Sequence, residues 1–261
     1  MDERMIKAIW KSDVRLGAVA GGEKSMSEFS RRSLLGGAAA VAAATVWSEP
    51  SHAQYVWQKT DWQQAAEFDA LTRSSRRIKQ ALHAFSVSDG RVLRTAKNSL
   101  NGLRFGMGAP ADQVQVVCAL NGPANLMNYS DYVWQKYRIG EWLKENDPKT
   151  GEPAVHNIFY PSKAGPSLSY SSDDPSSPDS AYQDVTVQGL QARGVKFLSC
   201  HSSIEEAARS IIKQFSLSAQ PEEVVKDMQA HTVPGVIMVP ALAAALAVLQ
   251  SDGHYSYMAV S

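Results

Sequence analysis

The sequence predicts an α/β fold for residues 77–261: a three-layer sandwich built on a five-stranded, mostly parallel sheet. Three observations carry it. Short apolar runs alternate with segments of helical period from Ile78 to Val260, the pattern of successive βα units. Runs such as Val116 to Leu120 are almost continuously apolar, as strands are when helices cover both faces. Turn and cap residues punctuate them: Gly106 and Gly108, Asn121-Gly122-Pro123, Gly194 and Gly253.

The elements follow in order. Thr60-Asp61 can cap a short helix through Leu71, with Trp62, Ala65, Ala66 and Phe68 on its apolar side. Ile78 to Phe85 reads as the first strand and Asp89 falls in its exit loop. Val92, Leu93, Ala96, Leu100 and Leu103 recur at helical spacing over Arg91 to Gly106. Gln113 to Leu120 is the second strand, and Pro123 opens a helix expected to run on to Leu143. Residues 145–178 break the rhythm with Pro148, Pro153, Pro161, Pro166, Pro175, Pro178 and many serines. They read as an insertion ordered around Ile158-Phe159-Tyr160, either a lid or a surface excursion. A helix is expected over Asp179 to Arg193, then a strand ending at Cys200 and a helix from Ser203 to Phe215. Pro221-Glu222-Glu223 starts a short helix with acids in its first turn. Gly235 to Val239, a helix after Pro240 and a last strand over His254 to Val260 complete the series.

Residues 1–53 read as an address. Ser30-Arg31-Arg32-Ser33-Leu34-Leu35 carries paired arginines, Gly36 to Val46 is a weakly apolar run, and Ser51-His52-Ala53 offers small residues before a cut at Gln54. This order resembles a twin-arginine (Tat) export signal. It implies the Tat translocase as a partner during export and a periplasmic or secreted mature chain, held at a membrane only if the signal stays uncleaved. Met26 lies at a more usual distance from the arginines than Met1, so either can be the true start. Residues 54–76 form a lead-in, with Trp57 and Trp62 as packing anchors.

Composition excludes several classes. Lys+Arg number 26 and Asp+Glu number 26, so charge makes no case for nucleic acid or anionic membrane. The two cysteines, Cys118 and Cys200, are too few for a disulfide scaffold or a cysteine zinc site. The histidines show no helical ligand spacing, and no glycine-rich nucleotide loop is present, so no metal or cofactor is expected.

The chemistry-bearing stretch is Val195 to Glu206. Its strand ends at Cys200. Ser202 follows as an expected N-cap with Glu205 three residues on as capping-box partner. A thiol there would lie at the C-terminal edge of a sheet, partly exposed, beside the positive end of a helix. His201 can add positive charge. Cys118 reads as an inert core thiol, and a bond between the two cysteines stays open. Asn121 and Gly122, at the end of the second strand and before a helix, can hold an anion or small ligand, or can serve only as a cap. His83 and Asp89 are candidates to line the same cleft.

Three segments carry a resemblance: Gly194-Val195-Lys196-Phe197-Leu198-Ser199-Cys200, then Val233-Pro234-Gly235-Val236-Ile237-Met238-Val239-Pro240, and Leu249-Gln250-Ser251-Asp252-Gly253-His254-Tyr255-Ser256-Tyr257. With Asn98 to Gly106, these resemble the DsrE/DsrF-like family over about residues 78–260, the insertion apart. The resemblance implies a compact domain that assembles into trimers or hexamers. It also implies, by analogy with sulfur-relay members, that Cys200 carries sulfur as a persulfide. Asn121, Gly122, His201 and Ser202, read from the residues themselves, are the candidate ligand-binding set at the same edge. Those relay members are cytoplasmic and lack such an insertion. The alternative is a non-catalytic module whose cleft at this edge holds a small molecule or a partner.

Overall fold

The structure is a computed structural model that describes residues 56–58, 61–161 and 170–261. The export signal read over residues 1–53 lies outside the described residues, as do Thr60 of the expected first cap and residues 162–169 of the insertion.

The sheet has five strands, β1 (Ile78–Ala84), β2 (Val114–Leu120), β3 (Lys196–Cys200), β4 (Val236–Val239) and β5 (Ser256–Val260), in the order β4-β3-β2-β1-β5. Every pairing is parallel. The chain steps one way from β1 to β4, then returns past them to place β5 beside β1. Right-handed crossovers therefore put the first three connections on one face and the last on the other.

The two cores match that rule. Side chains alternate between faces along a strand. Leu82, Ala84, Val116, Cys118, Leu120, Phe197, Val236 and Met238 point to one face. There they meet α2 (Arg91–Asn101), α3 (Asp131–Lys136), α4 (Ile139–Leu143), α5 (Val187–Ala192), α6 (His201–Phe215) and α7 (Pro221–Ala230). Ala81, Val117, Ala119, Leu198, Cys200, Ile237 and Val239 point to the other, under α1 (Ala65–Thr72) and α8 (Leu242–Ser251). Burying both faces of a parallel sheet is what the near-continuous apolar strands require.

Several expectations are corrected. The single helix expected from Pro123 to Leu143 is a 3-10 turn over Gly122–Asn128 followed by α3 and α4, divided at Arg138, whose φ of 52° is left-handed. Asn125 and Asn128 leave the helical pattern because their amides bond the backbone of β3. The helix expected over Asp179 to Arg193 shrinks to α5. Its cap is Thr186, whose hydroxyl accepts the Gly189 N–H at 3.0 Å. The helix after the first strand ends at Asn101 and widens into a π turn over Gly102–Gly106.

The start of the insertion belongs to the core. Ala154, Asn157 and Phe159 are buried. Asn157 Nδ2 donates to the carbonyls of Met127 and Tyr129 at 2.9 and 2.7 Å. Gly140 makes this approach possible, since a Cβ there would lie 2.2 Å from the Ala154 carbonyl oxygen.

Candidate functional site

Adjacent strands whose following helices go to opposite faces leave a crevice at their C-terminal ends, the usual ligand position in open α/β sheets. Here those strands are β3, followed by α6, and β4, followed by α8. Ser202 bridges the two exits: its backbone N–H and its hydroxyl both donate to the Pro240 carbonyl, at 3.4 and 3.1 Å.

Cys200 ends β3, and its backbone occupies the N-cap position of α6. This corrects the expected cap. Ser202 lies inside the first turn and is spent on Pro240, while Glu205 faces His201 rather than a cap. The Cys200 side chain follows the pleat toward α1 and α8, among Leu198, Val239 and Leu242, and the residue is 3% exposed. The expected partial exposure of the thiol is thus overturned: the residue lies on the strand face that α8 covers. Its Sγ accepts the Leu242 N–H at 3.3 Å, at the first turn of α8. Cys118 is fully buried on the opposite face, and burial pushes its thiol far above the ordinary range. Both cysteines are free. Opposite faces put them out of reach of one another, which closes the question of a bond.

His201 takes the other side of the crevice. Gln229 Nε2 lies 2.7 Å from Nδ1, which makes Nδ1 the acceptor and leaves the proton on Nε2, 3.4 Å from Glu205 Oε1. Burial pushes the imidazole down to about 4, so it is neutral at pH 7. The Glu205 carboxylate favours the cation, yet desolvation of a ring only 4% exposed outweighs it. The expectation that His201 adds positive charge is corrected accordingly. The Trp57 indole packs on this imidazole with ring centres 4.2 Å apart and planes 31° apart.

A cavity of about 700 Å³ opens over this pair, between α6 and α7. Trp57, Val56, Pro221 and Val225 give it apolar walls. Arg209 and Lys226 bring positive charge, and Glu205 and Glu222 negative. Arg209 Nη2 lies 3.9 Å from Glu205 Oε2. The α7 wall is held at its start by Glu223, whose carboxylate accepts the Gln220 N–H at 3.4 Å.

The Asn121-Gly122 turn is engaged internally. Asn121 Oδ1 accepts from the Gly122 N–H at 2.9 Å and from the Ser203 hydroxyl, and the Gly122 N–H also reaches Ser203 Oγ at 3.0 Å. The turn thereby ties the end of β2 to the first turn of α6. Gly122 has φ 49°, and a Cβ there would come 3.1 Å from the Phe85 carbonyl oxygen. His83 lies on β1, where Nδ1 pairs with the Tyr257 hydroxyl at 3.0 Å, and its ring packs against Phe85 with centres 4.1 Å apart and planes 47° apart. Asp89 occupies the 3-10 turn before α2. Neither lines the cavity over His201.

Asn125 went unseen in the sequence. Its Oδ1 accepts from the Cys200 N–H at 3.1 Å and the Ser199 hydroxyl at 2.8 Å, and its Nδ2 donates to the Cys200 carbonyl at 3.1 Å. One amide thus clamps both sides of the Cys200 residue, completing β3 where its ladder stops. The polar pair Asn125 and Asn128 inside an apolar stretch was the available signal. Among the described residues no group of three or more His, Cys, Asp and Glu can hold a metal ion, and no helix is long and apolar enough to cross a membrane. Compared with known proteins, the chain matches no protein-family model, no curated protein and no solved structure.

Proposed function

We propose that the chain is an exported, DsrE-like α/β module that binds a small molecule in the cavity between α6 and α7, without turnover at Cys200. The observation that carries this reading is the pairing of Trp57 with a neutral, buried His201 at the mouth of a cavity of about 700 Å³. A cleft of that size, opening beside the C-terminal end of β3 with apolar walls and a few convergent polar groups, has the form of a small-molecule site. Export rests on the twin-arginine segment. Assembly into homo-oligomers, trimers or hexamers on the family resemblance, is supported by exposed apolar side chains beside the edge strand β5, among them Phe85 at 54% and Tyr257 at 44%.

The test is a fluorescence titration of the mature chain, residues 54–261, with 8-anilinonaphthalene-1-sulfonate. This probe joins fused rings, suited to Trp57, to a sulfonate, suited to Arg209 and Lys226. Saturable binding that is lost in Val225→Glu supports the reading. No saturable binding, or binding indifferent to Val225→Glu, overturns it. Gel filtration of the same material tests assembly: a clean monomer removes it.

A second reading makes Cys200 a persulfide carrier. It is favoured by the Leu242 N–H, which donates to Sγ at 3.3 Å from the start of α8. The thiolate would attack the outer sulfur of a polysulfide, forming one S–S bond as the donor's S–S bond breaks and its shortened anion leaves. Intact-mass measurement of the folded chain after polysulfide treatment tests it. Gain of one sulfur, lost in Cys200→Ser, establishes the carrier; an unchanged mass excludes it.

A further inference from the structure

The other end of the sheet carries a second, separate cluster. Arg104, in the π turn after α2, and Arg193, just past α5, each place their guanidinium carbon 5.3 Å from the centre of the Tyr182 ring. The two cations are therefore within twice that distance of each other. Arg104 also lies 5.5 Å from the centre of the Phe105 ring. Among the described residues no carboxylate approaches either guanidinium within 4.0 Å. Like charges gathered around one ring repel one another, and Asp184 offsets the Arg193 charge only from beyond ion-pair distance.

The arrangement is held in place. Arg193 Nη2 donates to Asn101 Oδ1 at 2.6 Å and Nη1 to the Tyr182 carbonyl at 3.5 Å, while Asn101 Nδ2 donates to that same carbonyl at 2.8 Å. These bonds fix the fork and leave further N–H donors of Arg193 unspent. Burial, with the Arg104 charge nearby as a smaller cause, holds the Arg193 guanidinium below its usual value, so an arriving anion would relieve an existing cost. A cavity of about 360 Å³ opens on the pair and is lined also by Tyr170, Ser172, Asp173 and Tyr182. The nearby Asp184 is already engaged: it accepts the Tyr170 hydroxyl at 2.7 Å and the Thr186 N–H at 2.6 Å. Among the described residues lining the cavity, Asp173 is the one carboxylate against two guanidiniums, so the balance there is positive.

We infer that this cavity binds a phosphate group, gripped between the Arg104 and Arg193 guanidiniums beside Tyr182. Planar forks that donate in pairs match tetrahedral oxyanions, and the flanking Tyr182 and Phe105 rings suit an ester whose organic part is flat. The site lies where the insertion rejoins the domain, near Val114 at the start of β2. It is independent of the cavity over His201, at the opposite strand ends.

The experiment is isothermal titration of the mature chain with sodium phosphate and with phenyl phosphate, at constant ionic strength set with chloride. One saturable site is expected for both, tighter for phenyl phosphate. Arg104→Ala should weaken it at least tenfold. Arg193→Lys, which keeps the charge and loses the fork, should weaken it by a similar factor with an unchanged far-ultraviolet dichroism spectrum. Absence of saturable heat with both probes overturns the inference, as does binding that survives Arg104→Ala intact.

Discussion

Cys200 and His201 are neighbours in the chain and have opposite fates. The Cys200 side chain follows the strand pleat onto the face sealed by α8, where an amide hydrogen and hydrocarbon side chains surround the sulfur. His201 opens α6 on the opposite face, where its ring meets Trp57 at the mouth of a cavity. Both are almost fully buried, so accessibility alone does not separate them. What separates them is what buries them: secondary structure packed permanently across the sheet in one case, and in the other a lead-in segment laid over a cavity. A strand end at a topological switch point therefore offers two chemically distinct sides, and one residue of register decides which side chain faces which.

That contrast can be broken most severely at Asn125. Asn125→Ala strands the Cys200 N–H and takes one bond each from the Cys200 carbonyl, which keeps its place as the first acceptor of α6, and from the Ser199 hydroxyl, which keeps Tyr129 at 2.9 Å. It should cost about 3 kcal/mol of stability, read as a lower denaturation midpoint in urea. A loss below about 1 kcal/mol would mean that the clamp does not set the crevice. Acid should disturb the His201 side selectively. Its folded-state value of about 4 lies below the ordinary 6.5, so the unfolded chain binds the proton more readily. Stability is then full above pH 6.5 and falls as the pH drops toward 4, by no more than about 3 kcal/mol. His83 is shifted the same way by burial. Denaturation midpoints of the wild type and of His201→Gln across this range should converge at low pH. Parallel curves would contradict the assignment. The smallest effect is expected at Tyr257→Phe, which removes the hydroxyl that pairs with His83 Nδ1 at 3.0 Å. Because Tyr257 is half-exposed, the cost should be about 1 kcal/mol or less, with no change in probe binding at the His201 cavity.

The fold was legible because it depends on local and repeated signals. Apolar runs such as Val116 to Leu120 and the glycine stops mark parallel strands and helix ends wherever they occur. The edge of the sheet that matters was legible too, since Cys200 closes its strand. The direction of the sulfur was not: β3 carries one polar residue on each face, Lys196 in line with Leu198 and Cys200 and Ser199 in line with Phe197, so no alternation tells one face from the other. The sequence also suggested Ser202 as the cap, a choice that only the position of Pro240 on the neighbouring strand exit reverses. The roles of Asn125 and Asn157 could not be read for the same reason, even though Asn125 stood out as a polar residue in an apolar stretch. Their partners, on β3 and around Met127 to Tyr129, lie far away in sequence. Trp57 read as a packing anchor, and its partner His201 is brought to it only by the folding of the lead-in across the domain.

On the proposed function, the His201 side of the crevice, and not the Cys200 side, receives the ligand. The most direct measurement compares 8-anilinonaphthalene-1-sulfonate affinity for Trp57→Ala and Cys200→Ser with that of the parent mature chain. The expected result is at least a tenfold loss in Trp57→Ala and an unchanged affinity in Cys200→Ser. The reverse order, with the cysteine variant losing the probe and the tryptophan variant keeping it, would contradict the account.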